Sequence, residues 1–257
     1  MTAVFVHGNP EVALIWGPLL DRLSRRDTVT LSPPGFGAPV PEGFGATSDD
    51  YLQWLVDELE GMGEPVDLVG HDWGGGHVVR VACGRPDLLR TWCTDIGGCF
   101  APDYVWHDMA QTWQTPGAGE EAVAAMLGAP VANRARMYES VGMTPEVATA
   151  VAAGLDETMG RCILSLYRSA AQPALAMLGS RLPAAAARPG LVIIPTEDGY
   201  TGGEERARWS AAQAKADVAV LDGLGHWWMT QDPRRGAEVL ERFWASAVKD
   251  ASPPPHP

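Results

Sequence analysis

Positive charge is scarce in this sequence: 19 lysines and arginines stand against 32 aspartates and glutamates, a formal net charge of −13. A nucleic-acid partner needs a basic face to grip phosphates, so the balance argues against one, and against docking on an anionic membrane. Cysteine is sparse as well. Cys83, Cys93, Cys99 and Cys162 form no C-x-x-C pair and have no histidine at zinc-finger spacing. They are expected to be buried free thiols in a reducing compartment, which points to the cytoplasm. No segment approaches the roughly 20 apolar residues of a membrane span. The opening Met1-Thr2-Ala3-Val4-Phe5-Val6 lacks the basic region and long apolar run of a signal peptide. No internal repeat is found, and neither a metal nor an organic cofactor is implied.

What is present is apolar residue in quantity, 46% of 257 positions. That is enough for one α/β core with an insertion, or for two modest domains. Short β-branched runs alternate with helical patterns, which predicts a mostly parallel sheet covered by helices on both faces. Strands are predicted at Val4–Val6, Thr28–Leu31, Val66–Val69, Thr91–Thr94, Leu191–Ile194 and Val218–Leu221. Tyr51, Leu52, Leu55, Val56 and Leu59 repeat at helical spacing, with Thr47 and Asp50 as a capping-box start and Gly61 and Gly63 as the stop. A closing helix is expected over about 235–248. From about Ala101 to Ala187 the pattern is helical and alanine-rich, which reads as a cap over the C-terminal ends of the strands, where open α/β sheets bind ligands. The expected organisation is a core over 1–100 and 188–250, a cap over 101–187, and a disordered Pro-rich tail over 251–257.

The strongest chemical signal is Gly70-His71-Asp72-Trp73-Gly74, set between a strand and a helix. It has the form of the G-x-S-x-G nucleophile elbow, with a carboxylate in place of the hydroxyl. An ionised aspartate can attack a saturated carbon directly and displace a leaving group, giving an alkyl ester of the enzyme. Water must then cleave that ester, which calls for a base and an oxyanion hole. His226, in Gly225-His226-Trp227 after the last strand, fits the base. Asp198, after the preceding strand, fits the acid that orients it, with Asp95 as the alternative and Glu197 behind both. Backbone N–H groups of Asn9 and Trp73 fit the oxyanion hole. His7 and His71 read as turn-packing residues, and His77 has no assigned role.

These motifs, with His7-Gly8-Asn9-Pro10, resemble the aspartate-nucleophile members of the α/β-hydrolase fold, the epoxide hydrolases and haloalkane dehalogenases. The resemblance runs over nearly the whole chain and is loosest in the cap. It implies a fold whose first one or two edge strands are missing here, since the chain opens at the strand before the HGNP turn. It also implies two ways of helping the leaving group. Leu166-Tyr167-Arg168 is similar to the stretch carrying an epoxide-hydrolase tyrosine. Met109 falls near the position of the usual second tyrosine, and Tyr104 lies a few residues earlier. Asn9 and the indole of Trp73 are similar to a halide-binding pair. Trp106, Trp113, Trp227 and Met109 are expected to line an apolar pocket. The resemblance favours hydrolysis of a small apolar epoxide to a diol, with dehalogenation, a specialised biosynthetic step, or a non-catalytic binding homologue as alternatives. The expected partners are that electrophile and water, with a homo-oligomer left open.

Overall fold

The computed structural model describes residues 2–250, with side chains through 247; the tail expected at 251–257 lies outside the described residues. Six strands form one parallel sheet in the order β2-β1-β3-β4-β5-β6. They are β1 (Ala3–Val6), β2 (Thr28–Leu31), β3 (Val66–Gly70), β4 (Leu89–Thr94), β5 (Gly190–Pro195) and β6 (Asp217–Leu221). The inner strands are buried along their length apart from Arg90 on β4, as a sheet covered on both faces requires, whereas β2 and β6 sit at the edges and are partly exposed. Every predicted strand is present, lengthened by one or two residues where it was drawn short.

The principal helices are α1 (Ser48–Gly61), α2 (Trp73–Gly84), α3 (Asp108–Gln114), α4 (Ala118–Gly128), α5 (Val131–Ser140), α6 (Pro145–Gly154), α7 (Glu157–Ser169), α8 (Ala174–Gly179), α9 (Gly203–Ala214) and α10 (Pro233–Asp250). The reciprocal capping box forms at the start of α1: Thr47 N–H donates to Asp50 Oδ2 (3.0 Å), and Asp50 N–H to Thr47 Oγ1 (3.2 Å). Tyr51, Leu55, Val56 and Leu59 form its buried stripe, with Leu52 half-buried. The stretch from α3 to α8 is helical and contains no strand among the described residues.

Topology positions the site. From β1 the chain goes first to β2 on one side, then crosses to β3 on the other. Loops after β1 and β3 therefore diverge at a switch point, where a crevice opens. Register sets their depth: Val6 pairs with Gly70, and Gly70 with Thr94. The segments beginning at His7, His71 and Asp95 thus emerge side by side at one end of the sheet. Pro195 pairs with Leu221, so the loops bearing Asp198 and His226 emerge at the same end.

Candidate active site

Asp72 sits between β3 and α2 with φ +49° and ψ −127°, a left-handed conformation for a residue that carries a side chain. Such a position costs on the order of 1–3 kcal/mol and persists only where its surroundings enforce it. The flanking glycines show how. A Cβ on Gly74 would lie 2.2 Å from the carbonyl oxygen of Val6, and one on Gly70 would lie 2.5 Å from Gly74 backbone. The turn can close this tightly only without those side chains, and it lifts Asp72 to the head of α2.

One carboxylate oxygen of Asp72, Oδ1, accepts the Asn9 backbone N–H at 3.0 Å. The other, Oδ2, lies 3.8 Å from His226 Nε2, too far for a direct hydrogen bond but close enough for both to hold one water. Burial is the largest influence on Asp72 and pushes its pKa up; His226, His71 and the Asn9 N–H oppose this without cancelling it. Burial therefore makes the ionised form of Asp72 costlier than it would be in water.

Asp198 Oδ2 is 2.8 Å from His226 Nδ1, and its Oδ1 accepts the Tyr200 N–H at 2.8 Å. The Nδ1–H of His226 is thereby donated to Asp198, leaving Nε2 facing Asp72 with a lone pair. Burial is the largest influence and works against an imidazolium here, as does the His71 charge, but the Asp198 and Asp72 carboxylates together prevail and the His226 pKa is raised. Asp198 shows the converse: burial raises its pKa, the histidine lowers it further, and the net shift is down. Trp73 opens α2, so its backbone N–H has no carbonyl within the helix to bond.

The alternative acid, Asp95, is placed elsewhere. Its Oδ2 bonds His71 Nδ1 at 2.6 Å and accepts the Trp228 indole N–H at 2.7 Å, and its Oδ1 accepts the Asp72 backbone N–H at 3.0 Å. It supports the elbow from below rather than orienting His226. His71 is correspondingly more than a packing residue. Its Nε2 bonds Glu11 Oε1 at 3.2 Å, and Glu11 also takes the Gly8 N–H and the Trp227 indole N–H. Burial alone would neutralise Glu11 and His71. The ion pairing prevails, raising His71 well above its ordinary value and depressing Glu11 to about 2. The resulting buried charge network joins the loops after β1, β3 and β4. The His71 ring lies 4.5 Å from that of His226. One ligating atom each from Glu11, His71 and His226 lies within 4.8 Å of the others; Glu11 and His71 bond each other and, respectively, Trp227 and Asp95, while His226 Nδ1 bonds Asp198 and its Nε2 stays free.

A cavity of about 380 Å³ lies over Asp72, between the sheet's C-terminal end and the helical stretch. Asn9, Asp72, His226 and Trp227 form its floor; Trp113, Tyr138 and Tyr167 stand among its walls. Met109 lines it as expected but is 48% exposed, so it sits at the rim. Trp106 does not line it. Its ring stacks on Trp73, 5.8 Å between centroids, beside a smaller void behind Trp73 and Tyr167. Tyr104 is also diverted, its hydroxyl donating to the Tyr200 carbonyl at 2.9 Å.

Tyr167 is buried, its ring edge-on to Trp73 at 5.2 Å. Burial and then the Asp72 charge push its pKa up, so its hydroxyl stays protonated. The Asn9 side chain is buried too, with neither Oδ1 nor Nδ2 partnered. Glu11, Tyr138, Tyr200 and Arg134 were not singled out by sequence reasoning. Glu11 alone had a visible signal, an acid directly after the HGNP turn.

His7 is packed in its turn, its Nδ1 2.8 Å from the Gly8 oxygen, and His77 is buried with its pKa depressed to about 3. All four cysteines are free; three are buried and Cys83 is half-buried. Among the described residues, no helix is long and apolar enough to cross a membrane.

Comparison with known proteins bears on the fold directly. No curated protein sequence matches the chain. Among solved structures, the haloalkane dehalogenase DbeA from Bradyrhizobium elkani superposes with a TM-score of 0.69 at 22% identity, over 95% of this chain and 91% of that one. A thermophilic esterase from Thermogutta terrifontis gives 0.75 at 17% identity, over 96% and 90%. NosK from Streptomyces actuosus gives 0.66 at 22% identity, over 96% and 99%. At these identities the likeness is one of fold, which these proteins share across different named activities. The sequence model described as the alpha/beta hydrolase family matches residues 3–239, nearly all of the sheet and the helices around it. By that match and by its six-stranded parallel sheet, the chain is a member of the alpha/beta hydrolase family.

Proposed function

We propose that the protein is a hydrolase that opens a small apolar epoxide through a covalent ester on Asp72, with residues 101–187 acting as the cap over the reaction. The observation that supports this best is the convergence on one cavity of a buried carboxylate, a histidine with its free nitrogen turned toward that carboxylate, and a protonated tyrosine.

In the first step an oxygen of Asp72 attacks a ring carbon, and the C–O bond breaks. The released oxygen takes the proton of Tyr167, leaving a phenolate beside the Trp73 ring. In the second step His226 Nε2 removes a proton from water as the water oxygen adds to the ester carbonyl. Backbone N–H groups of Asn9 and Trp73 hold the oxyanion. The ester C–O bond breaks, His226 returns its proton to the departing alkoxide, and the diol is released. The proton left on the Asp72 carboxyl goes back to the Tyr167 phenolate. The sum is one water added to one epoxide. Asp198 keeps the imidazole oriented and stabilises its charged form throughout.

A second reading rests on Asn9. Its buried, unpartnered amide lies on the cavity floor beside Asp72 and could receive a halide leaving group. Incubation with styrene oxide and with 1-bromobutane separates the two. We expect diol from styrene oxide, and Tyr167→Phe to lower that turnover by about 10²–10³, the usual worth of one donor to a developing oxyanion. Bromide release that Tyr167→Phe leaves intact and Asn9→Ala abolishes would move the assignment to dehalogenation. Turnover of neither compound would count against both.

A further inference from the structure

One cation lines the cavity without a counterion. On α5 the residues Arg134, Ala135 and Tyr138 are buried, while Arg136 and Met137 are exposed, Met137 at the edge of the cavity it also lines. Arg134 is only 8% exposed. Arginine is almost never buried this far unless paired. Among the described residues, Arg134 has no carboxylate partner: one N–H reaches the Leu155 carbonyl past the end of α6, at a long 3.4 Å, and Nε has no partner. A guanidinium has five N–H donors, and an unpaired charge in such a place is costly. That cost falls if a ligand supplies the anion.

The surroundings define the ligand. The cavity is otherwise mainly apolar, walled by side chains such as Trp113, Met126, Met137 and Val141. A single planar cation there matches a single planar anion, since the guanidinium fork meets a carboxylate with two parallel hydrogen bonds. A phosphate dianion would find only half its charge met. Position matters too. Tyr138, one turn after Arg134, donates to the Pro10 carbonyl, and the neighbouring Asn9 holds Asp72. Arg134 thus borders the same cavity as Asp72 but from a different part of the chain, one turn before Tyr138.

We infer that Arg134 is a specificity residue that binds the carboxylate of an apolar acid, so that the substrate is a carboxylic acid whose electrophilic carbon lies at the other end of an apolar body. The identity of that electrophilic end rests on the reading of Asp72 given above, but the carboxylate site can be tested without it. Two unreactive probes of nearly equal shape serve: 4-phenylbutanoate and 4-phenylbutanamide, titrated against the full chain by quenching of tryptophan fluorescence. The acid is expected to bind at least about tenfold more tightly than the amide, an increment of about 1.4 kcal/mol. Arg134→Met should erase that preference while leaving amide affinity unchanged, which also shows that the cavity remains formed. Arg134→Lys, keeping the charge but not the fork, should retain part of it. Equal affinity for the two probes, no binding of either, or an acid preference that survives in both variants would overturn the assignment. Neither probe can esterify Asp72. Acid-selective binding without any covalent product from epoxides would therefore uphold the role of Arg134 and defeat only the proposed chemistry.

Discussion

At the residue scale, the account turns on how two carboxylates with opposite shifts divide the labour around one imidazole. Asp72 is pushed up by burial and Asp198 is held down by His226, as an attacking group and an orienting group require. The His226 pKa lies above 6.5, and Asp198 is the strongest influence raising it. The water-activating step needs the neutral imidazole, so its rate should climb with pH through an inflection above 6.5. Asp198→Asn removes the raising influence and should move that inflection down while lowering the maximal rate by about 10⁴, the cost of a misoriented imidazole. Single-turnover rates measured from pH 5 to 9 for both proteins check this; an unmoved inflection would mean that another group sets it. The placement of these residues was legible in the sequence because each follows its own strand at the expected end. The ambiguity between Asp198 and Asp95 was not, because both end strands, and only the three-dimensional arrangement shows which imidazole each one meets.

Between elements, the unexpected feature is the Glu11–His71–Asp95 network beneath the elbow. It ties together the loops that carry Asn9 and Asp72, and through the Trp227 indole bonded to Glu11 it also holds the loop that carries His226. Breaking a buried ion pair by removing one charge costs about 3–5 kcal/mol. Glu11→Gln should fall near 3, because Asp95 still faces His71. The sign of its pH dependence follows from the shifts. Glu11, depressed from 4.5 to about 2, contributes stability above pH 4.5 that is lost as the pH falls toward 2. His71, raised from 6.5, contributes most below pH 6.5 and loses its share as the pH rises through its elevated value. The stability gap between wild type and Glu11→Gln, read from urea unfolding, should therefore be widest between about pH 4.5 and 6.5; a gap that does not change with pH would contradict the ionic reading. Sequence periodicity showed the strands, the α1 cap and the run of helices. It could not show this network, because a lone acid after a turn and a histidine inside an elbow look like loop residues until the sheet register brings them together.

On the scale of the whole molecule, the proposed function depends on a cavity made by two parts of the chain that are far apart in sequence. The floor was predictable from the motifs. The walls were less so: Trp113, Trp227 and Met109 reach the cavity, whereas Trp106 is drawn off to stack on Trp73. Helix periodicity shows which face is buried, not whether it is buried against a neighbour or against a void. The cavity's size gives its own prediction. Ala122 on α4 lines the wall, and Ala122→Trp should fill part of the space. KM for styrene oxide should rise by about tenfold or more while turnover of propylene oxide stays nearly unchanged; equal effects on both would place the binding site elsewhere.

The central claim is that a carbon becomes covalently bound to Asp72 and is released only with the help of His226. The most direct measurement is the mass of the His226→Ala protein after exposure to styrene oxide, followed by peptide mapping. The account predicts a gain of one whole epoxide mass, located on Asp72 and missing from the Asp72→Asn, His226→Ala double variant. An unchanged mass, or an adduct on any other residue, would contradict it.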